Sequence, residues 1–423
     1  MKIFRIAVAA AILGSGALYA DWGADDFGDD YRPKTSWLKR FHNTPDVVAT
    51  DSINDAINRC DEVVGEDKYC VVAVPGGVLK EPVEIFRWRT KLVSADGKPI
   101  EAKGAGTMFY IGDDTRYVAI DGLKIKGTDV GDDGIYAIIV EGKSIRYVAI
   151  TNNEIYDFST DNGNAHAIGI YGTGGESSES IRHILISGNT IHDMRTGSSE
   201  SIALNGNVIR FQIDNNDIYD INNIAIDIIG GEGTSPTREK NGRVIPGKYD
   251  AARYGYVEDN FVENLSTANN PAYDNKESWA AAIYIDGGRY VKVVDNVIQK
   301  AAWGYEIGAE NCMVTRHIIM YGNSAEESYF GDLTVGGYNH KGFYADKSIE
   351  CDPTTDPSDE GHGYVRHITI YDNDFATQDP AEENIHISYR TTYAIIEQDG
   401  VEAVNDDDDG SAKGDENAIK TSR

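Results

Sequence analysis

The sequence predicts an all-β chain folded as a parallel β-solenoid. Three observations predict it. A short alternating strand followed by a tight turn recurs in eight segments, and a second family of short strands lies between them. The composition agrees: 44 glycines and 25 tyrosines against only 11 prolines in 423 residues suit a turn-rich β protein, not a long disordered linker.

The first strand family comprises YVAIDGLKI (117–125), YVAITNNEI (147–155), HILISGNTI (183–191), FQIDNNDI (211–218), YVEDNFV (256–262), VKVVDNVI (291–298), HIIMYGNSA (317–325) and HITIYDNDF (367–375). Seven of these turns carry an asparagine: Asn153, Asn189, Asn216, Asn260, Asn296, Asn323 and Asn373, spaced by 36, 27, 44, 36, 27 and 50 residues. The shared minimum near 27 reads as one coil, and the longer spacings as coils with insertions. Asparagine tolerates unusual turn dihedrals and bonds neighbouring backbone, so stacked coils align these amides in a ladder.

The second family comprises HAIGIYG (166–172), ESIALNG (200–206), IAIDIIG (224–230), AAIYIDG (281–287), WGYEIGA (303–309) and GDLTVGG (331–337). Two strands per coil, each covering one face of a shared core, are expected. A single coil cannot bury its apolar face alone, so the coils stack and the ends need caps. The segment Asp51–Cys60 predicts an amphipathic capping helix with Ile53, Ala56 and Ile57 on one face.

The repeat resembles the right-handed, single-stranded parallel β-helix of the pectin-lyase-like superfamily, over residues 70–395. Members of that superfamily include polysaccharide lyases, glycoside hydrolases, epimerases and non-enzymatic adhesins and tailspikes. The resemblance therefore implies the fold and a glycan context but does not choose a reaction.

The rest of the chain divides around this body. Residues 1–20 read as a secretory signal: Lys2 and Arg5, an apolar run from Ile6 to Leu13, then small residues to Ala20, with Leu18 leaving the cut position open. The expected location is the periplasm or the medium. Residues 21–69 form an N-terminal segment and cap, and 396–423 an acidic tail containing Asp406–Asp409, expected to be without structure. Cys60 and Cys70 are near enough to pair, as are Cys312 and Cys351, but four cysteines allow three connectivities. A net charge of −30 argues against nucleic acid as partner and against binding to an anionic membrane surface.

Candidate functional residues come from the outward columns of the second strand family. Aligning its inward pairs puts Gly169, Ala203, Asp227, Tyr284, Glu306 and Thr334 in one column. His166, Glu200, Ile224, Ala281, Trp303 and Gly331 form a second, and Tyr171, Asn205, Ile229, Asp286, Gly308 and Gly336 a third. Read alone, Asp286-Gly287 is an ordinary turn dipeptide. In its column it stands one coil from both Asp227 and Glu306, with Cα separations of about 8 Å. Carboxyl groups on such positions reach the ~5–9 Å used in glycoside hydrolysis. Glycines 287 and 288 are expected to leave room above the carboxylate.

Asp227, Asp286 and Glu306 are accordingly the candidate catalytic acids, with Glu306 as acid/base, Asp286 as nucleophile or base and Asp227 as a tuning group. His166, Glu200, Asn205, Arg253, Tyr284, Trp303, Glu310, Tyr338 and His340 are candidate substrate contacts; tyrosine and tryptophan suit the apolar face of a sugar ring. The alternative is a lyase on uronic-acid glycans such as pectin or alginate. Asp227, Glu232, Asp286, Glu306 and Glu310 would then hold Ca2+, with Arg253, Lys341, His340 or Tyr338 as base. The columns place no Lys or Arg among the acids, which counts against that chemistry. A non-catalytic glycan-binding protein is the third reading.

Overall fold

The structure, a computed structural model, describes residues 31–337 apart from 241 and 312, then 363–376, 385–387, 391–397 and 419–421. It is a parallel β-helix. Three long sheets run along its axis, one of 13 strands and two of 10. A coil therefore has three strands, not two. Arg116–Asp121 in the first sheet is followed by Lys124–Lys126 in the second and Ile135–Gly142 in the third; the chain then returns to the first sheet at Arg146–Thr151. The second sheet escaped the sequence reading because its strands span only two to five residues. Most turn a single side chain inward, as Ile125, Ile155 and Ile298 do, and one residue shows no period.

The asparagine turns separate the first sheet from the second. Each rung bonds to the next: the Asn153 amide nitrogen donates to Asn189 Oδ1 at 3.0 Å, and the contact repeats through Asn216, Asn260, Asn296 and Asn323 to Asn373. The residue before each ladder position has a left-handed backbone. Those residues are Gly122, Asn152, Gly188, Asn215, Asp259, Asp295, Gly322 and Asp372, with φ between 51° and 71°. Only glycine, asparagine and aspartate occur there, the types that bear this conformation at least cost. In the coil that begins at Arg116, Leu123 takes the ladder position, and its backbone N–H donates to Asn153 Oδ1.

Valine and isoleucine side chains from all three sheets fill the interior as one continuous apolar column, from Val47 at one end to Ile387 at the other. On the outside of the first sheet, rings stack coil on coil. Tyr117, Tyr147 and His183 make one run with centroids 4.7 Å apart, and Tyr290, His317 and His367 another. These histidines are structural, and burial pushes all three ring pKa values down to about 4.

The predicted cap is present. The helix α1 spans Ile53–Val63, with Ser52 Oγ accepting from the Asp55 N–H and with Ala56, Ile57 and Cys60 buried. A Cys60–Cys70 disulfide ties it to the first core strand, Cys70–Val74. Closing a loop of that length contributes about 3 kcal/mol in the chain-entropy account. Cys312, Cys351 and residues 1–30 lie outside the described residues. So does the tail apart from Ile396, Glu397 and Ile419–Thr421; the last three add a parallel strand beside Thr391–Glu397. No helix among the described residues is long and apolar enough to cross a membrane.

Candidate active site

The third sheet carries the candidate acids in the expected register. Ala203 lies opposite Asp227, Asp227 opposite Tyr284, Tyr284 opposite Glu306 and Glu306 opposite Thr334, while Asp286 pairs with Gly308. Asp227 and Glu306 are thus two strands apart in one column, about 9.6 Å between backbones, with Tyr284 between them.

This face is not the open cleft that alternation alone suggests. Ala281–Asp286 and Trp303–Ala309 are buried on both sides, because two insertions fold over the sheet. One of them, 231–250, is anchored by Ser235, whose hydroxyl donates to the carbonyls of Gly172 and Gly174 at 3.0 Å. It is shaped by Asp250, whose carboxylate accepts from the N–H groups of Gly233 and Ser235. The other, 265–280, is anchored by Asn270, which donates to the carbonyls of Gly197 and Asn222.

Asp227, Asp286 and Glu306 are only 4%, 3% and 6% exposed, whereas Glu200, Glu232 and Glu310 sit part-exposed at the rim. Burial pushes all six carboxyl pKa values up, with Glu200 reaching about 8 and Glu310 about 7. Mutual repulsion adds to this for most of them: Glu200, Asp286, Glu232 and Glu310 all bear on Asp227. None of the six forms a described salt bridge with a lysine or arginine.

The three central acids differ in their bonds. Asp286 is occupied. Its Oδ1 accepts from the Glu310 N–H and its Oδ2 from the Asn311 side chain, both at 2.7 Å, so it fastens the turn at 310–311. Tyr284 beside Glu306 works toward its ionised form, but burial and repulsion from Glu310 and Asp286 outweigh it and hold the carboxyl well above the usual carboxylate range. Asp227 has a buried Oδ1 with no hydrogen-bond partner among the described residues. Asp286, expected as nucleophile or base, thus has both oxygens engaged, and the acid with an unpartnered buried oxygen among the described residues is Asp227.

The glycines after Asp286 also have a different use. Gly287 has φ +78°, and a Cβ there would lie 2.4 Å from the Gly230 carbonyl oxygen. It admits the neighbouring chain, not a ligand. Gly308, beside Asp286, is the one that leaves room for a functional side chain, since a Cβ there would meet Tyr284 Oη at 2.6 Å.

Most of the other predicted contacts gather here. His166 Nδ1 bonds the Glu200 carbonyl at 2.6 Å and its Nε2 the Tyr171 hydroxyl at 2.7 Å. The carbonyl accepts, so the proton sits on Nδ1 and Nε2 accepts from the tyrosine. Burial lowers this pKa to about 4, leaving a neutral ring. Asn205 donates to Glu232 and accepts from the Thr234 hydroxyl.

Arg253 is not among the acids. It lies on the first sheet, where its guanidinium donates to the Ala251 carbonyl and to Asn207 Oδ1, both at 2.9 Å. It braces the end of an insertion, so the expected role as a sugar-acid contact is withdrawn. Tyr338, His340 and Lys341 lie outside the described residues.

The insertions also bring in side chains that no repeat marks. The Tyr273 hydroxyl accepts from Asn223 Nδ2 at 3.3 Å and stands close enough to feel Glu200, Glu310 and Asp227. Trp303 has a buried indole N–H without a hydrogen-bond partner among the described residues. It packs in an aromatic wall with Trp279, Phe330 and His386 at ring distances of 5.3, 6.1 and 6.2 Å, and Trp279 is half exposed. His386 was legible only as the next member of the acid column; Trp279 and Tyr273 sit in loops with no period. Among the described residues no three acids or histidines converge as metal ligands do.

The cluster predicts a pH dependence of stability. A carboxyl whose pKa is raised on folding binds its proton more tightly in the folded state. Its contribution is complete below the unfolded value and is lost as pH rises through the folded one. For Glu310 and Glu200 that window runs from about 4.5 to about 8. The ligand-free protein is expected to melt at a lower temperature at pH 8 than at pH 5. Scanning calorimetry across that range checks it, and a melting temperature that rose with pH would contradict the placement of these acids.

No family model matches the sequence. The chain is 32% identical over 269 residues to the uncharacterized protein YwoF of Bacillus subtilis (strain 168), which covers 63% of this chain and 54% of that protein. The chain thus spans about half the length of the curated relative it matches. Among solved structures it is similar to an alginate lyase from Paenibacillus sp. str. FPU-7, at 11% identity and a TM-score of 0.45 over 82% of this chain and 98% of that chain. It is also similar to the mannuronan C-5 epimerase A-module of Azotobacter vinelandii, at 11% and 0.45 over 91% and 97%. A third similarity is to the catalytic domain of GH87 alpha-1,3-glucanase in complex with nigerose, at 13% and 0.41 over 93% and 69%.

Proposed function

We propose that this chain is a glycan-cleaving enzyme of the hydrolase type, acting outside the cytoplasm, with Asp227 and Glu306 as its reacting pair. The observation that carries the reading is the unpartnered, buried Asp227 Oδ1 in a column shared with Glu306. A buried acid held among other carboxyls, with one oxygen that no described donor reaches, keeps its proton and can give it to a glycosidic oxygen. Glu306 takes the proton from water, with Tyr284 beside it working toward the carboxylate form against burial and the neighbouring acids.

In the step so built, Asp227 protonates the leaving oxygen as the C1–O bond breaks. Water adds to C1, and its proton passes to Glu306. Two strands of separation leave space for that water, as inverting hydrolysis requires. The aromatic wall around Trp303 and Trp279 supplies an apolar face for neighbouring sugar rings.

The test is product chemistry on a polysaccharide panel. New reducing ends of inverted anomeric configuration, without the ultraviolet absorbance of an unsaturated sugar, are expected. Unsaturated ends would replace this reading with the lyase. A chelator-induced loss of activity that Ca2+ restores would assign the acids to a cation.

A further inference from the structure

The sheet that carries the acids continues for five strands beyond Asp227, toward the capping helix. One outward column runs along it. Glu84, Tyr110, Ile139, Gly169, Ala203 and Asp227 are successive partners. Four strand steps put Tyr110 about 19 Å from Asp227. Exposure rises along that path. Every residue of Ile202–Gly206 is buried, whereas Tyr171, Tyr136 and Tyr110 are half-buried and Phe86 is 52% exposed. The closed pocket therefore opens onto an uncovered strip that carries four aromatic rings.

Two of those rings lie down along the sheet. A Cβ on Gly112 would stand 2.3 and 3.2 Å from Phe86 Cε1 and Cδ1, and one on Gly169 would stand 2.7 Å from Tyr171 Cε2. Each ring occupies the place of a side chain that glycine lacks. His166 holds the Tyr171 hydroxyl at 2.7 Å and fixes the ring nearest the pocket. The first sheet uses its rings differently. Tyr117 and Tyr147 stack 4° from parallel, so each covers a face of the other. On the strip, Phe86 and Tyr110 meet at 62° with centroids 6.2 Å apart, and among the described residues neither stacks on another ring. A single exposed phenylalanine is ordinary. Several part-exposed rings in one strip that leads to buried acids mark a binding surface. An aromatic face with hydroxyls beside it suits a sugar ring, which offers an apolar face and hydroxyl edges.

Charge selects among sugars. The outward column from Glu84 to His386 contains Glu84, Asp227 and Glu306 and no lysine or arginine. Glu141, opposite Tyr171, adds an exposed acid beside the strip. A chain of uronates would be repelled along this path; an uncharged chain would not.

We propose that Phe86, Tyr110, Tyr136 and Tyr171 form a distal binding strip for an uncharged polysaccharide that runs along it into the acid pocket, so that polymers are cleaved in preference to short oligosaccharides. The preference in cleavage rests on the hydrolase reading; the binding does not.

The experiment compares the whole chain with Phe86→Ala and Tyr110→Ser. Affinity electrophoresis is run in gels containing soluble α-glucan, β-glucan, xylan or galactomannan, with alginate and polygalacturonate as charged controls. Oligosaccharides of the retarding polymer, graded by length, are then titrated and digested. A neutral polymer is expected to retard the unaltered protein more than either polyuronate does, and each substitution to weaken that binding about tenfold. kcat/KM is expected to rise with length until the chain spans the ~19 Å from Asp227 to Tyr110. The substitutions remove that rise and leave kcat/KM on the shortest cleaved substrate unchanged. Phe86 is half exposed, so Phe86→Ala keeps the fold and decides alone if Tyr110→Ser does not fold. Unaltered polymer binding in Phe86→Ala, or tighter binding of a polyuronate, overturns the strip whether or not bonds are cleaved. Polymer binding that the substitutions weaken, with no cleavage by the unaltered protein, supports the strip and overturns the hydrolase. Cleavage independent of chain length overturns the strip and leaves the hydrolase standing.

Discussion

Asp227→Asn is expected to lower kcat by about 10²–10⁴-fold while leaving the fold intact, the range over which a positioned general acid contributes. The substitution keeps size and shape and removes the transferable proton. Asp227 is buried and surrounded by other acids that resist its ionisation, so a neutral amide introduces no new charge problem. At alkaline pH it relieves one, and the variant is expected to melt at the same temperature as the unaltered protein at pH 5 and somewhat higher at pH 8.

Asp286→Asn is the informative contrast. Asp286 accepts from the Glu310 N–H and from Asn311, and an asparagine can keep only one of those acceptors. It is expected to loosen the 310–311 turn and raise KM, with kcat less affected. Turnover kinetics and melting curves of both variants check these outcomes. Full kcat in Asp227→Asn would remove that residue from the chemistry, and a larger kcat loss in Asp286→Asn would return it to the role that strand alternation assigned.

Those two residues also mark how far the sequence is legible. Strand alternation and glycine positions placed Gly169, Ala203, Asp227, Tyr284, Glu306 and Thr334 in one column, and the observed pairing has the same register. Period-2 patterning contains that information because a register slip would turn Ile283 and Ile285 out of the core. It does not contain what lies above the sheet. Asp286 is quenched by a turn whose donors, Glu310 and Asn311, follow the strand's neighbour with no pattern of their own. Tyr273 and Trp279 arrive on an insertion whose path is set by Asn270 and by Glu277, which accepts from Ser266. Arg253 looked available because its strand follows a long insertion, yet it is spent on Ala251 and Asn207 within that junction. The residues that can be assigned from sequence are those whose neighbours are themselves repeats.

The ladder asparagines are the extreme case of such repetition, and Asn260→Leu is expected to cost about 3–6 kcal/mol. Asn260 makes four side-chain hydrogen bonds. Its Nδ2 donates to the Ile213 carbonyl and to Asn296 Oδ1, and its Oδ1 accepts from the N–H and the side-chain amide of Asn216. Leucine fills the space and serves none of them. Asn296 Oδ1 keeps the Asn260 backbone N–H, and Asn216 Nδ2 keeps the Ile186 carbonyl, but the Asn216 N–H loses its acceptor. A buried group left unsatisfied costs about 1–3 kcal/mol, and a domain's whole stability is of order 5–15 kcal/mol. Asn153→Leu is expected to cost less. Below it stands Leu123, which offers one backbone N–H and no side-chain amide, so Asn153 Oδ1 accepts once where Asn260 Oδ1 accepts twice. Urea midpoints of the two variants at constant m check the order. Equal losses would mean that the ladder's amide-to-amide bonds add nothing beyond each residue's own turn, and that the column of apolar side chains alone sets the register of the coils.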